Sequence, residues 1–376
     1  MGPEQQNENG LGAAAPESRT KPTVCFLGPV SSYTHQATLD TFPTDKFDLI
    51  PVETIKDIFI TTQSGRATYG VVPFENSSNG SVVPTLDQFA DRAAEYPDLS
   101  VCAEIYLDVH HCLLGPSPPP PRSQSRGQGS DDNAEDPDRA PDLQHVKRVY
   151  SHPQAFGQCA AFLRARLRGV ETVDVSSTSR AAELARADPT RESAAISSAA
   201  AAQLLGLDVL ARDIEDRADN TTRFFALRRG LDLNGVEGAL EGVLRGRRGA
   251  LGRRKGVDVG DGENDSRRGE EGEEGEGEGD AKADVYSHTK SLASFTVPHR
   301  SPGALADVLE CFRRERLNLT SINSRPSLAR PFQYVFFVEF EGHRFRDPEG
   351  RVRDVLEGVA RVARSSRWLG SWDNMR

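Results

Sequence analysis

Four short polar runs hold nearly all of the candidate chemistry in this sequence. They are GPVSSYTHQA (28–37), ENSSNGS (75–81), SHPQAFGQC (151–159) and DNTTRFFAL (219–227). Ser32, Thr34, Asn76, Ser151, Gln158 and Thr222 supply hydroxyl and amide donors, Glu75 and His152 can titrate, and Arg223 offers a planar fork for a carboxylate. Each run also has a plain structural reading. Ser31 or Ser32 can cap a helix, residues 75–81 can be a turn, Ser151 can cap a helix with His152 at the surface, and Arg223 can close a salt-bridged strand end.

Taken together, the four runs point to a small anionic ligand held in a cleft, with no metal and no cofactor. No nucleotide-binding glycine fingerprint is present, because the glycines of 246–252 follow no strand. His110, His111 and Cys112 fall in a stretch read as one strand over Ser100–Leu114. Neighbouring strand residues point to opposite faces, so His110 and His111 are not expected to share an ion.

The elements that must position these runs are α/β units. Val24–Leu27 is an apolar run ending at Gly28-Pro29, followed by a helix from about Tyr33. Gly70–Phe74 is a second short apolar run and Val146–Tyr150 a third. Gln154–Leu167 carries Phe156, Cys159, Ala160 and Leu163 at helical spacing. A strand at Val170–Val175, a helix from Ser179, a strand at Ala194–Ile196 and a helix at Ala199–Leu205 complete the alternation, which implies largely parallel sheets. In such sheets ligands bind beyond the carboxyl ends of strands, where the polar runs fall.

Between these segments the composition changes. The chain has 376 residues, 46 basic and 56 acidic side chains and a net charge of −10, a poor balance for tracking nucleic acid. Its mean hydropathy of −0.53 reflects solvated inserts rather than a diluted core. Residues 1–20 read as a disordered tail, 116–143 as a disordered insert, and 231–284 as a flexible charged linker containing a basic block and an acidic Glu/Gly tract. No apolar run is long enough to cross a membrane, and no secretory or mitochondrial leader is evident. Five scattered cysteines without a Cys-x-x-Cys read as reduced thiols, which makes the cytoplasm the expected location.

With these residues in view, the chain resembles the prephenate dehydratases of the fungal type. The matching segments are 28–37, GVVPFENSSNGSV (70–82), YSHPQAFGQC (150–159), STSRAAELA (177–185), AAISSAAAAQLLGLDVL (194–210) and NTTRFFAL (220–227). The resemblance implies a lyase of phenylalanine biosynthesis that converts prephenate into phenylpyruvate, water and carbon dioxide. It also implies a catalytic domain over 21–230 with two lobes like those of periplasmic binding proteins. Lobe 1 would be about 21–115 and 206–230, and lobe 2 about 144–205.

Residues 285–376 follow a βαββαβ order, with strands at Ser294–Val297, Asn318–Ser324, Tyr334–Phe340 and Trp368–Gly370. Leu305, Val308, Leu309 and Phe312 form one helical stripe, and Val352–Val362 a second helix. This order resembles the ACT regulatory domain, which implies L-phenylalanine as an allosteric effector and a homodimer or homotetramer. The effector segments would be Gly303, Ala304 and Leu305, and Asn323, Ser324, Arg325 and Pro326, where Asn323 replaces the glutamate usual in such domains.

By the same resemblance Thr222 assists departure of the ring hydroxyl, alone or in a relay completed by Glu75 or His152. Ser32, Thr34, Asn76, Ser151 and Gln158 orient the substrate. Arg223 either pairs with a substrate carboxylate or, pointing away from Thr222, locks the lobe. The competing readings are the same chemistry on arogenate and a non-catalytic amino-acid sensor. No chorismate mutase segment is expected before residue 22.

Overall fold

The computed structural model describes residues 21–117, 142–230 and 286–376. The expected tail, the linker and residues 118–141 of the insert lie outside the described residues. Three units are present: two α/β lobes joined by two crossings, and a C-terminal α+β domain docked on the first lobe.

Lobe 1 contains β1 (Thr23–Leu27), α1 (Tyr33–Thr41), β2 (Asp48–Val52), α2 (Ile55–Gln63), β3 (Tyr69–Asn76), the two-residue β4 (Gly80–Ser81), α3 (Val83–Phe89) and β5 (Leu99–Asp108). The later β11 (Thr221–Arg229) inserts between β3 and β5, giving the order β5-β11-β3-β1-β2. β1 runs parallel to β2 and β3, whereas β11 is antiparallel to both its neighbours. The apolar runs in β1 and β3 are buried on both faces, as a covered sheet requires. Phe26, Val71, Phe224 and Ala226 pack with Ala37 of α1, while Val72, Phe74 and Phe225 pack with Ile58, Phe59, Leu86 and Phe89 of α2 and α3.

Lobe 2 contains β6 (Cys112–Gly115), β7 (Arg148–Ser151), α4 (Pro153–Gln158), α5 (Ala160–Arg166), β8 (Glu171–Asp174), α6 (Thr178–Ala187), β9 (Ser193–Ser197), α7 (Ala199–Leu205) and β10 (Asp208–Ala211). Its strand order is β10-β6-β9-β7-β8. Ser177 and Ser198 cap α6 and α7, and Gly206 ends α7 in the left-handed conformation. Two expectations change here. Cys112–Gly115 and Asp208–Ala211, assigned by sequence to lobe 1, pair in the second sheet. An apolar run reports that a strand is buried, not which sheet buries it. The single strand expected over Ser100–Leu114 is likewise two, interrupted at 109–111 where the chain crosses between lobes.

The C-terminal domain contains β12 (Thr289–Thr296), α8 (Ala304–Arg314), β13 (Leu319–Pro326), β14 (Tyr334–Glu341), α9 (Arg351–Val362) and β15 (Ser365–Asp373), in the expected βαββαβ order. Its antiparallel sheet runs β13-β14-β12-β15. Val308, Phe312, Val352, Val355 and Val359 of the two helices pack on Phe295, Val338 and Phe340. Leu292, Phe337, Leu369 and Trp372 join the lobe 1 core instead, with the Trp372 ring 5.0 Å from that of Phe225. A single parallel bridge, Gly370 to Val101, makes the two sheets continuous.

Candidate active site

The two crossings between lobes are residues 109–111 and 212–220, and they are tied to each other. Val109 N–H donates to the Asn220 carbonyl (2.7 Å), and Ile214 N–H to the His111 carbonyl (3.0 Å). The Glu215 carboxylate accepts His111 N–H (2.8 Å) and bonds the His110 ring (2.9 Å). Burial would raise the Glu215 carboxyl, but these two partners hold it below its ordinary range.

Across this hinge runs one chain of hydrogen-bonded side chains. Asn76, the last residue of β3, donates through Nδ2 to Thr222 Oγ1 (3.0 Å) and Asn220 Oδ1 (2.9 Å). Its Oδ1 accepts from the backbone N–H groups of Ser78 and Asn79, both at 3.0 Å. Because backbone N–H groups can only donate, the Asn76 amide has one possible orientation, and its NH₂ must face Thr222. Gln158, from lobe 2, donates through Nε2 to Asn76 Oδ1 at 3.4 Å. Its Oε1 therefore faces His111 Nε2 at 2.7 Å, and the histidine must donate. His111 Nδ1 is then an acceptor and lies 2.9 Å from the Tyr33 hydroxyl, whose one proton is shared with the His110 carbonyl at 3.0 Å.

The chain thus reads Thr222, Asn76, Gln158, His111, Tyr33, with members from both lobes and the hinge. Burial keeps His111 below its ordinary pKa and Tyr33 well above, so both are neutral at pH 7. Thr222 Oγ1 accepts from Asn76, and among the described residues nothing accepts its own proton. The same holds for Nδ2 of the buried Asn220.

The position of Gln158 comes from a break in the helix expected over 154–167. Asp216, in the second crossing, donates its N–H to the Gln158 carbonyl (2.6 Å), and its carboxylate accepts from Ala160 (3.1 Å) and Ala161 (2.9 Å). The hinge therefore ends α4 at Gln158 and caps α5, which fixes the amide at the mouth between lobes.

The remaining expected residues are placed as follows. Ser32 caps α1, accepting His35 N–H (3.1 Å) and donating to the Leu27 carbonyl (2.9 Å), so its hydroxyl is engaged locally. Thr34 is buried in the first turn of α1. Ser151 is fully buried at the end of β7 and donates to the Ile196 carbonyl (2.9 Å). His152 is the N-cap of α4, its Nδ1 accepting Gln154 N–H (3.2 Å).

Glu75 and Arg223 require correction. The register opposes Asn76 to Thr222 but Glu75 to Arg223, with a bulge between Arg223 and Phe224. Glu75 thus shares the face of Arg223, opposite to Thr222, so the structure does not bring Glu75 and Thr222 together for a relay. Arg223 is buried and bonds the Glu104 and Glu339 carboxylates, each at 2.6 Å. Its fork is committed to the interior, which removes it as a clamp for a substrate carboxylate; it locks the lobe.

The residues expected to bind an effector are split between two places. Gly303 is the left-handed N-cap of α8, with Ala304 buried and Leu305 packed on the C-terminal core. The other segment contacts lobe 1: Asn323 Oδ1 accepts from Ser81 Oγ (2.7 Å), Arg325 pairs with both oxygens of Asp87 (2.9 and 3.1 Å), and Arg92 Nε donates to the Pro326 carbonyl (2.8 Å). Ser324 is exposed.

His111, Tyr33 and Asn220 carry no role in the sequence reading. Tyr33 and Asn220 lie inside the quoted polar runs, so the signal was present. The strand expected over Ser100–Leu114 includes His111; in the structure neither it nor His110 lies in a strand. Outside this chain, His110, Asp213 and Glu215 offer ligand atoms within 4.8 Å of one another, among them the Glu215 carboxylate that already serves the hinge.

The sequence model of the family described as prephenate dehydratase matches residues 24–231, which contain both lobes and every member of the chain. The protein belongs to the prephenate dehydratase family. A bifunctional chorismate mutase/prephenate dehydratase of Aquifex aeolicus is 30% identical over 93% of this chain and 73% of that protein. A probable prephenate dehydratase of Saccharomyces cerevisiae is 29% identical over 84% of this chain and 86% of its own. Among solved structures, the prephenate dehydratase of Arthrobacter aurescens in complex with L-Phe aligns with a TM-score of 0.66 and 25% identity, covering 94% and 90% of the two chains. The prephenate dehydratase fold, with two lobes like those of periplasmic binding proteins, is therefore the fold of this chain, and its activity is that of a lyase.

Proposed function

We propose that Thr222 is the group that assists the leaving hydroxyl of prephenate in the cleft between the lobes. Loss of carbon dioxide breaks the ring carbon–carboxylate bond, its electron pair enters the ring, and the ring hydroxyl departs. No external electron source is required. The protein must hold a dianion and stabilise charge developing on the departing oxygen.

The observation that carries this reading is the one-way hydrogen bond from Asn76 to Thr222. Because Thr222 Oγ1 already accepts, its proton is directed elsewhere, and the accepted bond makes it a better donor. An alcohol does not release a free alkoxide at neutral pH. Thr222 therefore stabilises the leaving oxygen by hydrogen bonding, and the proton that completes water comes from solvent. Asn76 and Gln158 orient the substrate from the two lobes. The first two N–H groups of α1, those of Tyr33 and Thr34, have no intrahelical acceptor and receive a carboxylate together with the Thr34 hydroxyl. Ser32, Ser151 and His152 hold the helix starts and the strand end that frame the cleft.

Feedback by L-phenylalanine through the C-terminal ACT-like domain is the second part of the proposal. The βαββαβ order supports it, as does the Arthrobacter relative solved with L-Phe. The segments 303–305 and 323–326 would hold the effector in a homodimer or homotetramer.

Thr222→Ala is expected to keep the fold and lower turnover about 10²- to 10³-fold, and Thr222→Ser to keep much of it, measured by phenylpyruvate formation. Normal turnover in the alanine variant would refute the assignment. Titration of the full-length protein with L-phenylalanine in a calorimeter tests the effector reading, and an absence of heat would remove it.

A further inference from the structure

We propose that Arg223 is a positioning residue, through which Glu339 of the C-terminal domain holds Thr222 in its working pose. The inference rests on the reading of Thr222 given above.

Arg223 follows Thr222 directly, so the two side chains leave β11 on opposite faces. Thr222 joins the chain in the cleft, and Arg223 enters the seam between lobe 1 and the C-terminal domain. There its guanidinium meets one carboxylate from each side, Glu104 on β5 and Glu339 on β14, both at 2.6 Å. Lys290 of β12 reaches both Glu104 oxygens at 3.3 Å and Glu339 at 3.7 Å. Thr320 Oγ1 donates to Glu339 (2.6 Å), and the Met375 backbone N–H donates to Glu104 (2.8 Å). Relative exposures are 6% for Arg223, 0% for Glu104, 2% for Glu339 and 6% for Lys290.

Two cations and two anions balance here, yet the set is an inefficient source of stability. Buried ion pairs give up hydration, and Arg223 Nε has no acceptor among the described residues. What such a set does well is fix one geometry. That geometry matters at this point because the bulge between Arg223 and Phe224 interrupts the regular pairing of β11 with β3. Pairing with β5 stays regular over Thr221–Ala226, so the bulge loosens β11 only on the β3 side, where Asn76 meets Thr222, and the Arg223 side chain fastens that side from behind. Glu339 is the part of that fastening contributed by the C-terminal domain, so a change in docking there reaches Thr222 across one peptide unit.

Glu339→Gln in the full-length enzyme tests this. It is isosteric, lies outside the cleft and can keep the Thr320 bond. The expected result is a fall in kcat of about tenfold or more, with the KM for prephenate within about twofold, because a misplaced group loses transition-state rather than ground-state contact. The same change made in Thr222→Ala should cost little of the residual turnover, since the effect passes through the hydroxyl of residue 222. Unchanged kcat in folded Glu339→Gln, or equal losses in both backgrounds, would overturn the inference. If Glu339→Gln fails to fold, Thr320→Val decides: a fall in kcat without a change in KM supports the proposal, and wild-type kcat overturns it. Normal turnover in Thr222→Ala would sink the reading of Thr222 itself, whereas an inactive Thr222→Ala beside a wild-type Glu339→Gln would sink only the positioning role.

Discussion

At the scale of single residues, the site depends on hydrogen-bond direction more than on charge. Two backbone N–H groups orient Asn76, Asn76 orients Gln158, and Gln158 sets which nitrogen of His111 carries the proton. Burial keeps that histidine below its ordinary value of 6.5. As pH falls below 6.5 the unfolded chain binds a proton that folded His111 refuses. Its contribution to stability is therefore constant above that point and is lost as pH falls toward the folded value. His35 and His343, the latter pushed down to about 4, act in the same direction, so the wild-type slope is a sum. His111→Gln should make the fall in stability between pH 6.5 and 5 shallower by up to about 1.4 kcal/mol per pH unit, read from urea midpoints. An identical slope in the variant would show that His111 is not held neutral. The donors Thr222 and Asn76 are legible in the sequence because polar residues at strand ends stand out against apolar runs, and Gln158 because it follows Gln154 by one helical turn. The facing of Glu75 and Arg223 was only half legible: strict alternation separates Arg223 from Thr222 correctly, but no sequence pattern announces the bulge that turns Glu75 to the same side.

Elements are legible where period and capping agree, as in β1 with α1 and in α6 and α7 with their serine caps. They depart from the sequence pattern where a distant segment intervenes. The helix expected over 154–167 breaks because Asp216, more than fifty residues away, captures N–H groups at its middle. Cys112–Gly115 changes sheet because the crossing at 109–111 comes first. Close packing of α2 on β3 is a further property of this kind, and Gly70 makes it possible. A Cβ there would lie 2.5 Å from Thr62 Oγ1 and 2.6 Å from Ile58 Cγ2. Both atoms sit on the helix face that covers the strand, so the element itself must shift. Gly70→Ala should destabilise the protein by about 1–3 kcal/mol through overpacking, whereas Gly157→Ala, whose Cβ meets open space on α4, should be neutral or slightly stabilising. Equal thermal midpoints for the two variants would mean that α2 has room to move.

At the scale of the molecule, the C-terminal domain is joined to the catalytic lobes by more than a linker. The sheets meet at one residue pair, Gly370 and Val101, where the backbones approach so closely that a Cβ at 370 would stand 2.2 Å from the Val101 carbonyl oxygen. Gly370 also has a φ of +145°, a conformation that side chains rarely adopt. Around this bridge, Leu369 and Trp372 enter the lobe 1 core, and Arg367 donates to the backbone carbonyls of Tyr96, Pro97 and Leu99 while pairing with Asp91 at 3.0 Å. The C-terminal domain keeps a second core of its own, built on Val308, Phe312, Phe340, Val352 and Val355, which owes nothing to the bridge. Gly370→Val should therefore separate docking from folding. The wild type is expected to unfold in one calorimetric transition because the two parts share buried surface, and the variant in two, with the transition of the catalytic lobes at lower temperature. Protease should then cut first near 365–373 in the variant. A single transition at the wild-type temperature would mean that the seam tolerates a side chain at its closest point, and that the apolar contacts and the polar pairs around the bridge suffice to hold the domain.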